Sequence, residues 1–263
     1  MTLATDDWTA LRLQIEWGAD EALSPDPIDR LVQTPRPQPV PERRLPAAVV
    51  RTQPPPPSGT AAERALAAAG AAQTLEELRA AIAAYDGCAL KQTASHLVFA
   101  EGNPESTLLL VGDPPGREED RSGHPFAGAE GQLLDQMLAS IGLQRDALML
   151  TPLIPWRPPG GRPANPGELA LLLPFLHRLI ALHLPARIVI LGGVAARALL
   201  GQMPRRGAAA DWLEMRVPGV QTPVPALLVP GLAEMQRKPP LRREAWRALR
   251  LLRRTLDAMP SEM

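Results

Sequence analysis

Cysteine and aromatic residues are scarce in this sequence. The 263 residues include one cysteine, Cys88, which excludes an internal disulfide and any cysteine-rich zinc site. Aromatic residues make up only 3% of the chain. Extended base-stacking surfaces of the RNA-binding kind are therefore not expected.

Net charge and long apolar runs are also lacking. The 28 Lys and Arg residues balance 28 Asp and Glu residues, so no global field attracts nucleic acid and any attraction to phosphate must be local. No apolar run is long enough to span a membrane, and the acidic N-terminus shows no signal-peptide pattern. We expect a cytoplasmic monomer without a membrane partner.

Proline is abundant and marks the domain boundaries. Of the 31 prolines, 11 lie between Pro25 and Pro57, a density that excludes helices and central strands. We predict an extended linker over residues 24–59, preceded in residues 1–23 by an amphipathic helix. A protein partner for these two segments and a plain spacer are both compatible with the composition. Residues 60–263 are predicted to form the folded domain.

The folded domain is predicted to be an α/β protein. An alanine-rich segment from residue 60 predicts two helices separated at Gly70, and further helical patterns lie between and after the apolar runs. Alternating strands and helices indicate a three-layer α/β/α, doubly wound fold around a central parallel four-stranded sheet. The four predicted strands are short, apolar and unalternating, as in sheets buried on both faces: Thr107–Gly112, Ala147–Leu153, Ala186–Gly192 and Pro223–Val229.

Four loops should meet at one edge of this sheet, because ligands of such folds bind beyond the carboxyl ends of parallel strands. The loop "VGDPPGREEDRSGHPFAG", residues 111–128, follows the first strand. The segments "TPLIPWRPPGGR", "GGVAAR" and "PGLAEMQRKPP" follow the other three. A ligand site is therefore predicted where these loops converge.

Four sequence blocks resemble the uracil-DNA glycosylases that carry an iron–sulfur cluster, the fourth family of that superfamily. The first loop is similar to the family motif G-E-A-P-G-x-x-E-D-x-x-G-x-P-F-V-G, and "TPLIPWRPPGGR" to its N-x-x-x-C-R-P-P-x-N-R block. "ARIVILGGVAARALLG" and "RKPPLRREAWRAL" resemble later blocks. The resemblance covers about residues 77–256 in order, and it implies a uracil-DNA glycosylase-like fold and a role in base excision repair.

The resemblance implies a base site in the first loop. Phe126 matches the phenylalanine that stacks on uracil, and the Pro114–Gly116 turn lets backbone N–H groups approach the base closely. Gly112 and Gly116 are the other candidate base-binding residues. Asp113 and Glu119 match family carboxylates and are the candidate catalytic residues that assist the attacking water. Three alternatives remain: Phe126 as an ordinary core residue, Asp113 as a helix or loop cap, and the loop acids as solvated charges.

Two residues essential to the family reaction are replaced. The position of the uracil-recognising asparagine is Pro152, and that of the histidine that donates to the uracil oxygen is Gly231. Loss of one such donor costs about 10²–10³ in rate. The resemblance therefore implies very slow or absent uracil release.

The cluster ligands are replaced as well. A [4Fe–4S] centre needs four thiolates. The four family positions are Tyr85, Cys88, Trp156 and Leu172, so only one thiol remains. We predict that this chain has lost the cluster and holds no other metal, with packing in its place.

Several arginines are candidates for DNA phosphate contacts. Arg157 lies within the second block, and the pair Arg205 and Arg206 resembles a basic turn of the family. Arg242 begins a basic C-terminal helix that could equally be a solvated amphipathic face.

Three function classes are compatible with the sequence. The first is a glycosylase acting on uracil or another damaged base in DNA. The second is a non-catalytic member that binds DNA, whether single-stranded or uracil-containing, or a repair partner. The third is a binder of a small nucleotide or phosphorylated ligand, and no phosphate-loop fingerprint supports it.

Overall fold

A mixed six-stranded sheet forms the centre of the domain. The computed structural model describes residues 59–201 and 211–258. In chain order the strands are β1 (Glu101–Gly102), β2 (Leu108–Gly112), β3 (Met149–Pro152), β4 (Arg187–Leu191), β5 (Trp212–Met215) and β6 (Val224–Val229). Their order across the sheet is β1-β3-β2-β4-β6-β5. The four central strands are parallel, and β1 and β5 run antiparallel at the two edges.

The α/β class and the parallel centre predicted from sequence are confirmed, but the predicted number of strands was too small. The two missed strands lie at the edges and pair with β3 and β6. β1 has only two residues, too few to show the two-residue alternation of polar and apolar side chains that marks a strand. β5 is only partly buried, so it lacks the continuous apolar run of a central strand.

Helices cover both faces of the sheet and give the three layers. Their bounds are α1 (Ala61–Ala71), α2 (Leu75–Ala84), α3 (Leu90–Thr93), α4 (Arg117–Ser122), α5 (Gly128–Ala139), α6 (Pro166–His183), α7 (Gly193–Leu200), α8 (Leu232–Arg237) and α9 (Leu241–Asp257). α1, α2, α6 and α7 contribute to one core with alternate strand residues. α5, α8 and α9 contribute to the other core. Strand residues alternate between the two cores because successive side chains point to opposite faces.

The predicted break at Gly70 is wrong. α1 continues through Gly70 to Ala71, and α2 begins after Thr74, whose Oγ1 accepts a hydrogen bond from the Glu77 amide at 3.1 Å. The cap therefore sets the boundary, since a single glycine only lowers helix stability.

Some sequence predictions lie outside the described residues. These are the N-terminal helix, nearly all of the proline-rich linker, and Arg205 and Arg206. Within residues 59–201 and 211–258, no helix is both long and apolar enough to cross a membrane.

Candidate functional site

The loops that follow the four parallel strands line one groove of about 810 Å³. Asp113 and Phe126 come from the loop after β2, and Arg157 comes from the loop after β3. Val194 lies in the first turn of α7, directly after β4, and Gly231 lies in the loop after β6. The groove thus lies where the sequence predicted a ligand site, at the carboxyl ends of the strands.

Glu119 ties together the two ends of the loop after β2. Its Oε2 accepts a hydrogen bond from the Gly116 amide and its Oε1 one from the Phe126 amide, each at 2.6 Å. Burial raises the pKa of Glu119, and these two amide donors oppose the rise. Glu119 caps the short helix α4, which the Gly- and Pro-rich sequence had not predicted. Both carboxylate oxygens are therefore engaged in ordering the loop.

Phe126 is held in an unusual backbone conformation beside the groove. It has φ of 53° and is 5% exposed. A Cβ on Gly112 would lie 2.7 Å from the ring atoms Cε1 and Cζ, so the ring packs directly over that glycine. The Arg145 Nη2 donates to the Phe126 carbonyl at 2.9 Å. Phe126 is thus both a core residue and a groove residue. The sequence had left a core position and a base-stacking position as alternatives, and this placement is compatible with both.

The other loop acids divide into one structural and one exposed residue. Asp120 is buried, and its carboxylate accepts from the Ser95 amide at 2.8 Å. It therefore connects the loop to the segment before β1. Glu118 pairs with Arg121 at 2.8 Å on the surface, as a solvated loop charge would.

Asp113 caps a helix on the neighbouring strand's loop. Its Oδ1 accepts a hydrogen bond from the Ala195 amide at 2.8 Å, at the start of α7. Burial raises its pKa to about 6, although the amides of Ala195 and Val194 favour the charged form. A Cβ on Gly192 would lie 2.2 Å from the Asp113 Oδ2. The absence of a side chain at Gly192 therefore provides the space that the Asp113 carboxylate occupies.

Replacing Asp113 with asparagine is expected to increase the free energy of unfolding at pH 8 and to leave it nearly unchanged at pH 4. The carboxyl pKa is about 6 in the fold and 3.8 ordinarily, so the folded state binds the proton more tightly. Ionisation therefore destabilises the fold as pH rises through this window, by at most about 3 kcal/mol. Asparagine keeps an oxygen acceptor for the Ala195 amide without the charge.

Urea unfolding of both proteins at pH 4 and pH 8 measures this effect. Asp146→Asn, at an exposed carboxylate, is the matched control and should change neither value. An increase for Asp113→Asn that is larger at pH 4 than at pH 8 would contradict the assigned pKa.

Neither position of the missing recognition residues offers a hydrogen-bonding side chain. Pro152 ends β3, is buried, and pairs in register with Gly112. Gly231 precedes α8 with φ of −63° and ψ of 143°, a conformation open to any residue. Within the described residues, no amide, hydroxyl or imidazole side chain lines the groove.

The four residues at the cluster positions belong to one apolar core and do not fit a [4Fe–4S] centre. Tyr85 donates from Oη to the Ala61 carbonyl at 2.8 Å, and its ring centroid lies 5.3 Å from that of Phe175. Burial raises the pKa of the Cys88 thiol, which disfavours the thiolate that iron requires. Trp156 and Leu172 are buried in the same core. In the described ranges, no cluster of three or more His, Cys, Asp or Glu residues could hold a metal.

Basic side chains surround the groove. Arg157, expected from sequence, is one of them, and its Nη1 lies 3.9 Å from the Asp120 Oδ2. Arg242 does not line this groove; it lines a separate surface groove beside Trp246. The sequence had not indicated Arg117, Arg162 and Arg197, which only the converging loops bring to the groove. The six basic lining residues are Arg117, Arg157, Arg162, Arg197, Arg237 and Lys238.

Comparison with known proteins agrees with this arrangement. The family model described as the uracil DNA glycosylase superfamily matches residues 99–250. A Type-4 uracil-DNA glycosylase of Pyrobaculum aerophilum is 35% identical over 65% of this chain and 88% of its own length. Proteins of the same name from Archaeoglobus fulgidus and Thermotoga maritima are 38% and 34% identical, over 63% and 68% of their lengths and 48% of this chain. With its parallel central strands, its groove at their carboxyl ends and these matches, the chain belongs to the uracil-DNA glycosylase superfamily.

Proposed function

We propose that this protein binds DNA, holds a nucleobase in the groove, and releases uracil very slowly or not at all. The observation that carries the proposal is an incomplete groove. Phe126 and the close turn after β2 are present, whereas Pro152 and Gly231 stand where the family has its asparagine and histidine. The stacking face alone does not discriminate between bases, because every base has a π-face.

The groove's residues support only part of the glycosylase reaction. Asp113, with a pKa of about 6, is mostly ionised at neutral pH and is the lining carboxylate suited to accept a proton from water. Phe126 would stack on the base, and Glu119 would keep Phe126 in place through its amide. Negative charge that builds on departing uracil would meet no neutral donor side chain among the described lining residues.

A non-catalytic role in DNA or partner binding is the second candidate function. It is favoured by the same two replacements and by the use of Asp113 as a cap for α7. A single-turnover assay on single- and double-stranded DNA containing uracil separates the two. Measurable release supports the slow enzyme, and binding without release supports the non-catalytic protein.

The purified protein is expected to contain no iron–sulfur cluster. One buried thiol at Cys88 cannot supply four ligands, and core packing occupies the other three positions. Elemental analysis and the visible absorption spectrum of anaerobically purified protein provide the measurement. Stoichiometric iron and sulfide in a monomer would refute the proposal.

DNA binding is expected to be salt-sensitive through cations that line the groove. Arg117 and Arg197 line it, and within the described residues neither makes an ion pair. Replacing both with alanine should reduce the slope of log K against log salt by about 0.9 for each duplex phosphate that these side chains neutralise.

The charge-matched control replaces Arg243 and Arg247, which are exposed on α9 and do not line the groove. Fluorescence anisotropy across a salt series measures both slopes. If only the substitutions at Arg243 and Arg247 reduce the slope of log K against log salt, DNA contacts the basic face of α9 rather than the groove.

A further inference from the structure

Glu130 is a groove residue that the family resemblance did not single out. It lies in the first turn of α5 and lines the groove with Phe126 and Asp113. Its carboxylate is half-buried and, within the described residues, accepts no hydrogen bond. Burial raises the pKa of the Glu130 carboxyl, and the charge of Arg237 across the groove opposes part of that rise. The exposed part of this carboxylate is therefore open to a hydrogen-bond donor, whether water or a ligand that replaces it.

The remaining acidic residues of the groove are already engaged. Glu119 accepts two backbone amides, and Asp113 caps α7. Glu234 pairs with Lys238 at 3.3 Å. Glu130 is therefore the described lining carboxylate with a free acceptor edge.

We propose that Glu130 is the base-recognising side chain of this groove and selects bases that carry an exocyclic amino group. This assignment rests on the proposed function, since it requires a DNA base in the groove. An ionised carboxylate only accepts hydrogen bonds. Cytosine N4 and adenine N6 donate to such a group, whereas the oxygen of uracil at the same position is an acceptor and is repelled.

The test uses full-length protein and single-stranded oligonucleotides in which one base is flanked by abasic-site analogues. Two matched pairs differ by an amino or an oxo group: cytosine against uracil, and adenine against hypoxanthine. In both pairs the amino member should bind about ten-fold more tightly, the contribution of one charge-assisted hydrogen bond. Fluorescence anisotropy at fixed salt measures the ratio of dissociation constants.

Two variants connect this preference to one side chain. Glu130→Gln keeps the size and adds a donor, so it should abolish or reverse the preference; Glu130→Ala should abolish it without favouring uracil. Glu118→Gln, at an exposed carboxylate paired with Arg121, is the control and should keep the preference.

The outcomes separate the two proposals. Equal affinities within both pairs, or a preference that survives Glu130→Ala, overturn the assignment of Glu130 and leave DNA binding intact. Failure to bind any of the oligonucleotides overturns the proposed function itself, and the assignment with it.

Discussion

Restoring the two missing recognition side chains, Pro152→Asn with Gly231→His, is expected to raise the single-turnover rate of uracil release by at least about 100-fold. A single hydrogen-bond donor to the developing negative charge contributes a factor of about 10²–10³ in rate, so even partial recovery by the two side chains gives a large increase. Asparagine pairs with the uracil edge, and histidine donates to the oxygen on which charge develops. The assay is release of uracil from single-stranded DNA under enzyme excess.

Sheet register and neighbouring contacts define the space around both restored residues. Pro152 is in register with Gly112, the residue on which the Phe126 ring packs, so its side chain lies on the same sheet face. A Cβ on Gly231 would lie 3.3 Å from the Gly192 Cα and 3.4 Å from the Asp113 Oδ2. Both neighbours must therefore move by a few tenths of an ångström to admit a side chain at this position.

The single variants and a third substitution are the controls for this experiment. Each single variant should increase the rate less than the pair, because recognition and charge stabilisation act on the same departing base. Phe126→Ala in the restored background should lower the rate again. Rapid uracil release by the unaltered protein would show that other residues have taken over both roles.

The Gly131→Ala variant is expected to lower the free energy of unfolding by about 3 kcal/mol or more. Gly131 lies in α5, where a Cβ would stand 1.8 Å from the Phe126 carbonyl oxygen. That oxygen belongs to the backbone and is held by Arg145, so relief requires movement of the loop. Overpacking of this kind typically costs about 1–3 kcal/mol and sometimes more. Thermal unfolding should show a midpoint lower by about 6–12 °C.

The matched control is the same substitution in another helix. Gly70 lies within α1, and a Cβ there would meet nothing within 4 Å. Gly70→Ala should therefore stabilise the protein by about 0.5–1 kcal/mol, because alanine loses less backbone entropy in a helix. Equal effects of the two substitutions would show that helix propensity, rather than contact with Phe126, dominates at Gly131.

Much of the fold follows from patterns along the chain. The central strands were predictable because each is a short apolar run buried on both faces, and their parallel order follows from the helices between them. β1 and β5 were not, because β1 has only two residues and β5 lacks the continuous apolar run of a central strand. The boundary between α1 and α2 depended on the Thr74 cap, and the glycine at position 70 had suggested a different one.

The candidate site also has features that the sequence predicts and features that only the folded structure determines. Residue identities, together with the family resemblance, predict which chemistry is missing: one thiol for a four-thiolate cluster, and proline and glycine at the two recognition positions. How the remaining groups are used is a property of the folded chain. Asp113 bonds to α7, Glu119 holds Phe126, and Glu130 lines the groove without a donor among the described residues. Composition limits which groups exist, whereas hydrogen bonding and burial depend on loops that meet only at the carboxyl ends of parallel strands.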